Sequence, residues 1–277
     1  MITGKLNAEK SPIQDVIMIM LLFIAMACLP MEKFFTEFLR VNNAQYLSYY
    51  VIRFLFSAIF ILFIILYGFN SQFYSKFSLK SLICITPVII IAINNFPFYS
   101  LISGDVAFVE NIGFNFEYLI AVFSIAFVEE LVFRGIILPL VAIKCSNKFE
   151  RGYSIVVIVI SSIIFGLTHI VNIFAGGNIG LVFLQIGYSF LLGCALSFVM
   201  IKTKNIFIPT IIHFIYNLGG FLSNFSLLVG TVFTVGQIIL TACISVIMGI
   251  IIIKMIFSLT KDEVKNALTY KYCKNNF

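Results

Sequence analysis

Long apolar runs alternate with short polar segments along almost the whole chain. Eight runs, at approximately 15–31, 47–69, 80–97, 118–141, 153–174, 180–201, 205–224 and 232–257, are long enough or nearly so to cross the bilayer. At 1.5 Å per residue a helix needs about 20 residues to span roughly 30 Å of hydrocarbon. Pro87 and the stretch Asn94-Asn95-Phe96-Pro97 interrupt the third run, so a seven-span count is the alternative. The pattern predicts an all-α, polytopic transmembrane bundle, because only helices and closed barrels satisfy their backbones in lipid. No repeat or linker-like stretch divides it, so residues 1–277 read as one integral membrane domain ending in a short basic tail, 258–277.

Charge settles the expected orientation. Lys5 and Lys10 precede the first run, and Lys76 and Lys80 follow the second. Lys144, Lys148 and Arg151 follow the fourth, Lys202 and Lys204 the sixth, and Lys261, Lys265, Lys271 and Lys274 the last. The alternate connections are poor in base: 98–117 holds Asp105, Glu110 and Glu117 but no Lys or Arg, and 175–179 and 225–231 carry no charge. Only Lys33 and Arg40, offset by Glu32 and Glu37, break the alternation. Basic loops stay in the cytoplasm, so both termini are expected there. The run at 16–29 behind Lys5 and Lys10 has some features of a signal peptide, but its small-residue pattern is poor, and a retained first span is the expectation.

Composition agrees. The chain is 61% hydrophobic and 11% charged, with mean hydropathy +1.09, whereas soluble domains carry about 25% charged residues. The net charge of +6 is dispersed between apolar runs rather than gathered in one patch, which argues against a nucleic-acid partner. Six scattered cysteines without a CxxC pair argue against a disulfide framework or a zinc knuckle. Heavy use of Ile, Phe, Asn and Lys suggests an AT-rich coding sequence and a bacterial cell membrane.

The fourth run contains what lipid should exclude. Glu129, Glu130 and Arg134 sit near its middle. On the insertion scale three such charges cost about 8–10 kcal/mol, and the fifteen Leu, Ile, Val and Phe residues of the run return about 5–9 kcal/mol. The helix therefore needs partners in the bundle or water in a cavity. Glu130 and Arg134 are four apart and share a face in the favourable acid-before-base order. Glu129 is rotated about 100° away, which leaves it for chemistry, unless all three form one structural ion network. The fifth run carries Phe165 and His169 four apart, and the seventh carries His213 and Asn217 four apart. These are the only two histidines in the chain. Counted from the cytoplasmic ends, Glu129, His169, His213 and Asn217 differ in depth by roughly 12 Å, which helix tilt of about 20° can partly absorb.

Glu129-Glu130-x-x-x-Arg134, Phe165-x-x-x-His169 and His213-x-x-x-Asn217, in that order on separate helices, resemble the three motifs of the CPBP group. That group holds the CAAX prenyl endopeptidases and the bacteriocin-processing and immunity (Abi) proteins. The resemblance covers roughly 118–220, and the helices at 118–224 form the expected catalytic core. It implies an intramembrane endopeptidase acting on a membrane-associated peptide or protein: a prenylated CAAX-type chain, a bacteriocin or pheromone precursor, or a membrane regulator. It also implies Glu129 as the base that activates water. His169 would then hold the water, and His213 and Asn217 would stabilise the oxyanion. Glu130, Arg134 and Phe165 would support the site. The cofactor stays open between none and a divalent metal such as zinc on His169, His213 and Glu129; the HExxH spacing is absent. A non-catalytic immunity or regulatory protein and a proton-coupled transporter are the rival readings.

Overall fold

A computed structural model describes residues 45–108, 116–222 and 228–268. The expected first span, 15–31, and the end of the basic tail lie outside these. The described residues are almost entirely helical. In chain order they form α1 (Gln45–Leu66), a 3-10 turn (Asn70–Phe73), α2 (Leu79–Asn94) and α3 (Phe98–Ile102). Strand β1 (Val106–Phe108) leads to α4 (Phe116–Val132), which passes through a π turn (Phe133–Ile137) into α5 (Leu138–Cys145). Then come α6 (Tyr153–Thr168), α7 (Val171–Phe174), α8 (Ile179–Thr203), α9 (Phe207–Phe221), β2 (Leu228–Gly230), α10 (Val235–Phe257) and α11 (Lys261–Leu268).

Among the described residues, three segments are long and apolar enough to cross a membrane: Tyr153–Phe174, Ile179–Thr203 and Val235–Phe257. Tyr50–Leu66, Leu79–Asn94 and Phe207–Phe221 are shorter apolar helices. The sequence boundaries differ most at two places. The fifth run is one helix only as far as Thr168, where His169 caps α6 before the short α7. The fourth run is not a straight helix, because the π turn widens it in the middle. Side-chain caps mark several starts: Ser78 accepts from Ser81 N, Asn178 from Leu181 N, and Thr234 from Gln237 N. Each satisfies one of the amide groups a helix leaves open at its N-terminus.

The core lies where α1, α2, α4, α6, α8 and α9 meet, around Phe60, Ile85, Val128, Phe133, Phe165 and Leu196. Lipid tails are as apolar as these side chains, so fit rather than water expulsion must hold the helices together. Small residues allow that fit between α6 and α8. A Cβ on Gly166 would stand 2.8 Å from the Ile186 carbonyl oxygen, and one on Gly193 would stand 3.0 Å from Ser162 Cβ and 3.2 Å from Phe165 Cδ1. At the end of the bundle away from the basic loops, β1 and β2 pair antiparallel, with Val106 opposite Gly230. Beside them the buried Gln237 takes Tyr99 N and Ser100 N on its carbonyl oxygen and donates to Phe96 O. At the opposite end Tyr153 Oη donates to Ala142 O, tying α5 to α6.

Candidate active site

Glu130 is the centre of a buried cluster. It lies on α4 with no exposed surface, and its Oε1 accepts Arg134 Nη1 at 2.8 Å. The same oxygen lies 2.7 Å from Nδ1 of His213, on α9. A carboxylate oxygen only accepts, so the proton in that bond sits on Nδ1. Arg134 is equally buried: Nη2 donates to Gly193 O on α8 at 3.3 Å, and its Cζ lies 4.7 Å from the centre of the Phe165 ring. A guanidinium held this way is doubly matched, by a carboxylate in its plane and an aromatic face beneath it.

Phe165 organises the other aromatics. It meets Phe133 at 4.7 Å between ring centres, His169 at 5.3 Å and His213 at 6.0 Å, all edge to face. The phenylalanine one turn before His169 therefore separates the two imidazoles and supports the arginine. Gly193 makes this arrangement fit, since any side chain there would press on the Phe165 ring.

Glu129 stands apart. Its side chain keeps 16% of its surface exposed, and Oε2 faces His213 Nε2 across 3.6 Å, too long for a hydrogen bond. Its charge acts on Arg134, His169 and Tyr188, which places it within electrostatic reach of all three. His169 is half-buried at the end of α6. Its Nδ1 lies 3.5 Å from Thr168 Oγ1, at the limit of contact. Asn217 is half-buried one turn after His213. Among the described residues it bonds to none of the other site groups. The structure thus gathers Glu129, Glu130, Arg134, Phe165, His169 and His213, and leaves Asn217 at the margin.

Glu129, His169 and His213 do not form a ready metal site. Among the described residues no three His, Cys, Asp or Glu side chains come together at ligand spacing. The Nδ1 bond to Glu130 leaves His213 Nε2 facing Glu129.

Two features escaped the sequence reading. Tyr188 on α8 borders the site, and its neighbour Gln185 accepts from Asn172 at 2.8 Å. Polar residues three apart in an apolar helix were the available signal. A cavity of about 390 Å³ also opens beside the site, walled by Tyr188, Tyr216, Cys194, Ile158, Ile252 and Gly249 among others. It lies between α10 and the core, a gap that no residue pattern announces.

Residues 111–219 match the family model for the Rce1-like type II CAAX prenyl endopeptidases. Over this stretch, which is less than half of the chain, the protein is similar to the CPBP group of CAAX proteases. No curated protein and no solved structure matches the chain significantly. The Rce1-like stretch holds every side chain of the cluster, from Glu129 on α4 to His213 on α9, and excludes α1, α2 and α10. That family is one of proteases, and the match together with the apolar helices supports an integral membrane protein.

Proposed function

We propose that this protein is an intramembrane endopeptidase in which Glu129 activates water to cleave a membrane-associated peptide. The carrying observation is the division of labour between adjacent acids. Glu130 is committed to Arg134 and His213, whereas Glu129 is partly open and faces His213 without bonding to it.

With His213 protonated on both nitrogens, the charges of Glu129, Glu130, Arg134 and His213 sum to zero, which suits a site inside lipid. Water then lies between Glu129 and His169. As its oxygen attacks the scissile carbonyl carbon, Glu129 takes the proton. The tetrahedral oxyanion accepts hydrogen bonds from His213 Nε2–H and from the Asn217 amide. The C–N bond breaks, and the proton passes from Glu129 to the leaving nitrogen. One water is consumed, and a new carboxyl and a new amine result. Glu130 holds His213 Nδ1 throughout, so the ring is aimed without itself losing a proton.

The family favours a prenylated CAAX-type C-terminal peptide as substrate. The apolar cavity beside Tyr188 and Tyr216 is consistent with a substrate carrying a hydrocarbon group. The chain is placed in a bacterial cell membrane with eight spans and both termini in the cytoplasm, on the alternation of its basic loops. The test is cleavage by the purified protein in liposomes, followed by mass spectrometry. A prenylated C-terminal peptide, its unprenylated form and a bacteriocin-type leader are offered in turn. The expected result is cleavage of the prenylated peptide, unchanged by a chelator. Cleavage of the leader alone would redirect the substrate. Loss of cleavage with chelator, restored by zinc, would overturn the metal-free chemistry.

A further inference from the structure

Pro139 explains the π turn and exposes a residue that no motif contains. A proline in a helix has no N–H for the carbonyl four residues earlier, and its ring crowds that oxygen. Here that carbonyl belongs to Gly135, immediately after Arg134. The helix widens across Phe133–Ile137, with Leu138 N reaching back five residues to Phe133 O. Turns of this kind insert one extra residue and re-aim the side chains around them.

The missing donor comes from outside the helix. Gln72, buried in the 3-10 turn after α1, donates from Nε2 to Gly135 O at 3.1 Å. Its own backbone carbonyl accepts from Ile206 N at 3.0 Å. Ile206 is the N-cap residue of α9, the helix that carries His213. Gln72 therefore touches both backbone segments whose side chains converge on Glu130 Oε1: the turn holding Arg134 and the start of the helix holding His213.

We infer that Gln72 is a positioning residue, which replaces the donor lost at Pro139 and thereby fixes the register of Arg134 and His213 on Glu130. Gln72 Oε1 is buried and meets no protein donor among the described residues. The unmet Oε1 is a desolvation cost that offsets part of what the Nε2 bond to Gly135 O contributes to stability. The gain from Gln72 lies in where it holds Gly135 and Ile206. The inference rests on reading Glu130, Arg134 and His213 as the support of Glu129.

Gln72→Met keeps the length of the side chain and removes the donor. Ser75→Ala serves as control, since Ser75 Oγ bonds only within the same turn, to Ser71 O. Activity is read as kcat and KM. The His213 ring is read independently by solid-state NMR of 15N-histidine protein in liposomes, with two ring signals assigned through His169→Gln. For Gln72→Met we expect kcat to fall about tenfold with KM within about twofold, because small misplacement near the chemistry is costly. The thermal midpoint should fall modestly, because Gly135 O loses its donor, and the His213 Nδ1 signal should move away from its hydrogen-bonded position. Ser75→Ala should match wild type in all three. An unmoved His213 signal in Gln72→Met overturns the inference, and so does a lower midpoint with kcat per folded molecule unchanged. If the wild type cleaves no peptide, the proteolytic reading fails by itself, and the NMR arm still decides the role of Gln72.

Discussion

Helices α4 and α10 make opposite use of the bilayer. Helix α10 is apolar over 23 residues, yet only 6% of its most apolar window is buried against the rest of the protein. Most of its surface is left uncovered by the other described residues, and it borders the cavity. Helix α4, by contrast, carries three glutamates and runs into a turn with a buried arginine, and the side chains from Val128 to Phe133, apart from Glu129, are fully buried. Hydropathy alone ranks α10 among the best spans and leaves α4 out. In this protein the helix that suits lipid least is the one the bundle is built around. Its buried charges are tolerated because Arg134 and Glu130 pair with each other and His213 hydrogen-bonds the same carboxylate oxygen.

That contrast can be broken most forcefully at Arg134. Arg134→Ala strands the Glu130 carboxylate in a site with no exposed surface, which costs about 3–5 kcal/mol. The expected outcome is a large fall in folded, detergent-extractable protein. Wild-type yield from Arg134→Ala would mean that the pair is not what holds α4 in place.

A milder contrast compares glycines. The site a Cβ would take at Gly166 lies 2.8 Å from a backbone oxygen of α8, whereas at Gly249 on α10 nothing lies within 4 Å. Gly166→Ala is therefore expected to lower the thermal midpoint, with a cost of about 1–3 kcal/mol from overpacking. Gly249→Ala should leave it unchanged or raise it slightly, since alanine suits a helix better by up to about 1 kcal/mol. Equal effects in the two helices would contradict the difference in packing.

The smallest effect concerns the cytoplasmic edge. Lys202 Nζ donates to Glu263 at 2.8 Å, and Lys261 Nζ donates to Glu150 at 2.8 Å, docking α11 beside α8 and α6. The hydrogen bond from Lys202 holds the Glu263 carboxyl below its ordinary value of 4.5. A lowered carboxyl contributes its stability above the ordinary value and loses it as pH falls through the lowered one. Such exposed pairs are worth at most about 1 kcal/mol. Amide exchange in α11, corrected for intrinsic rate, should thus rise modestly between about pH 5 and about pH 3. An unchanged exchange would show that Val264 and Leu268, both buried, hold α11 alone.

Much of the cluster was legible in the sequence because charged and imidazole side chains inside apolar runs need partners. The spacing of four correctly paired Glu130 with Arg134 and set Phe165 against His169, edge to face. What stayed hidden has physical causes. The reach of His213 to Glu130 depends on how α9 approaches α4, which a helical wheel does not contain. Depth counted along straight helices failed where α6 stops at His169 and where Pro139 widens α4 into a π turn. Gln72 lies in a loop by pattern, and only the orphaned carbonyl of Gly135 reveals its place.

The most direct measurement sets Glu129→Gln beside Glu130→Gln in the same liposomes, recording cleavage per folded molecule and folded yield. Glu129→Gln should fold like wild type and lose at least about a hundredfold in rate, as expected for removal of a general base. Glu130→Gln should lose folded yield first. Near-normal cleavage by Glu129→Gln, with the rate lost instead in well-folded Glu130→Gln, would contradict the assignment of the two acids.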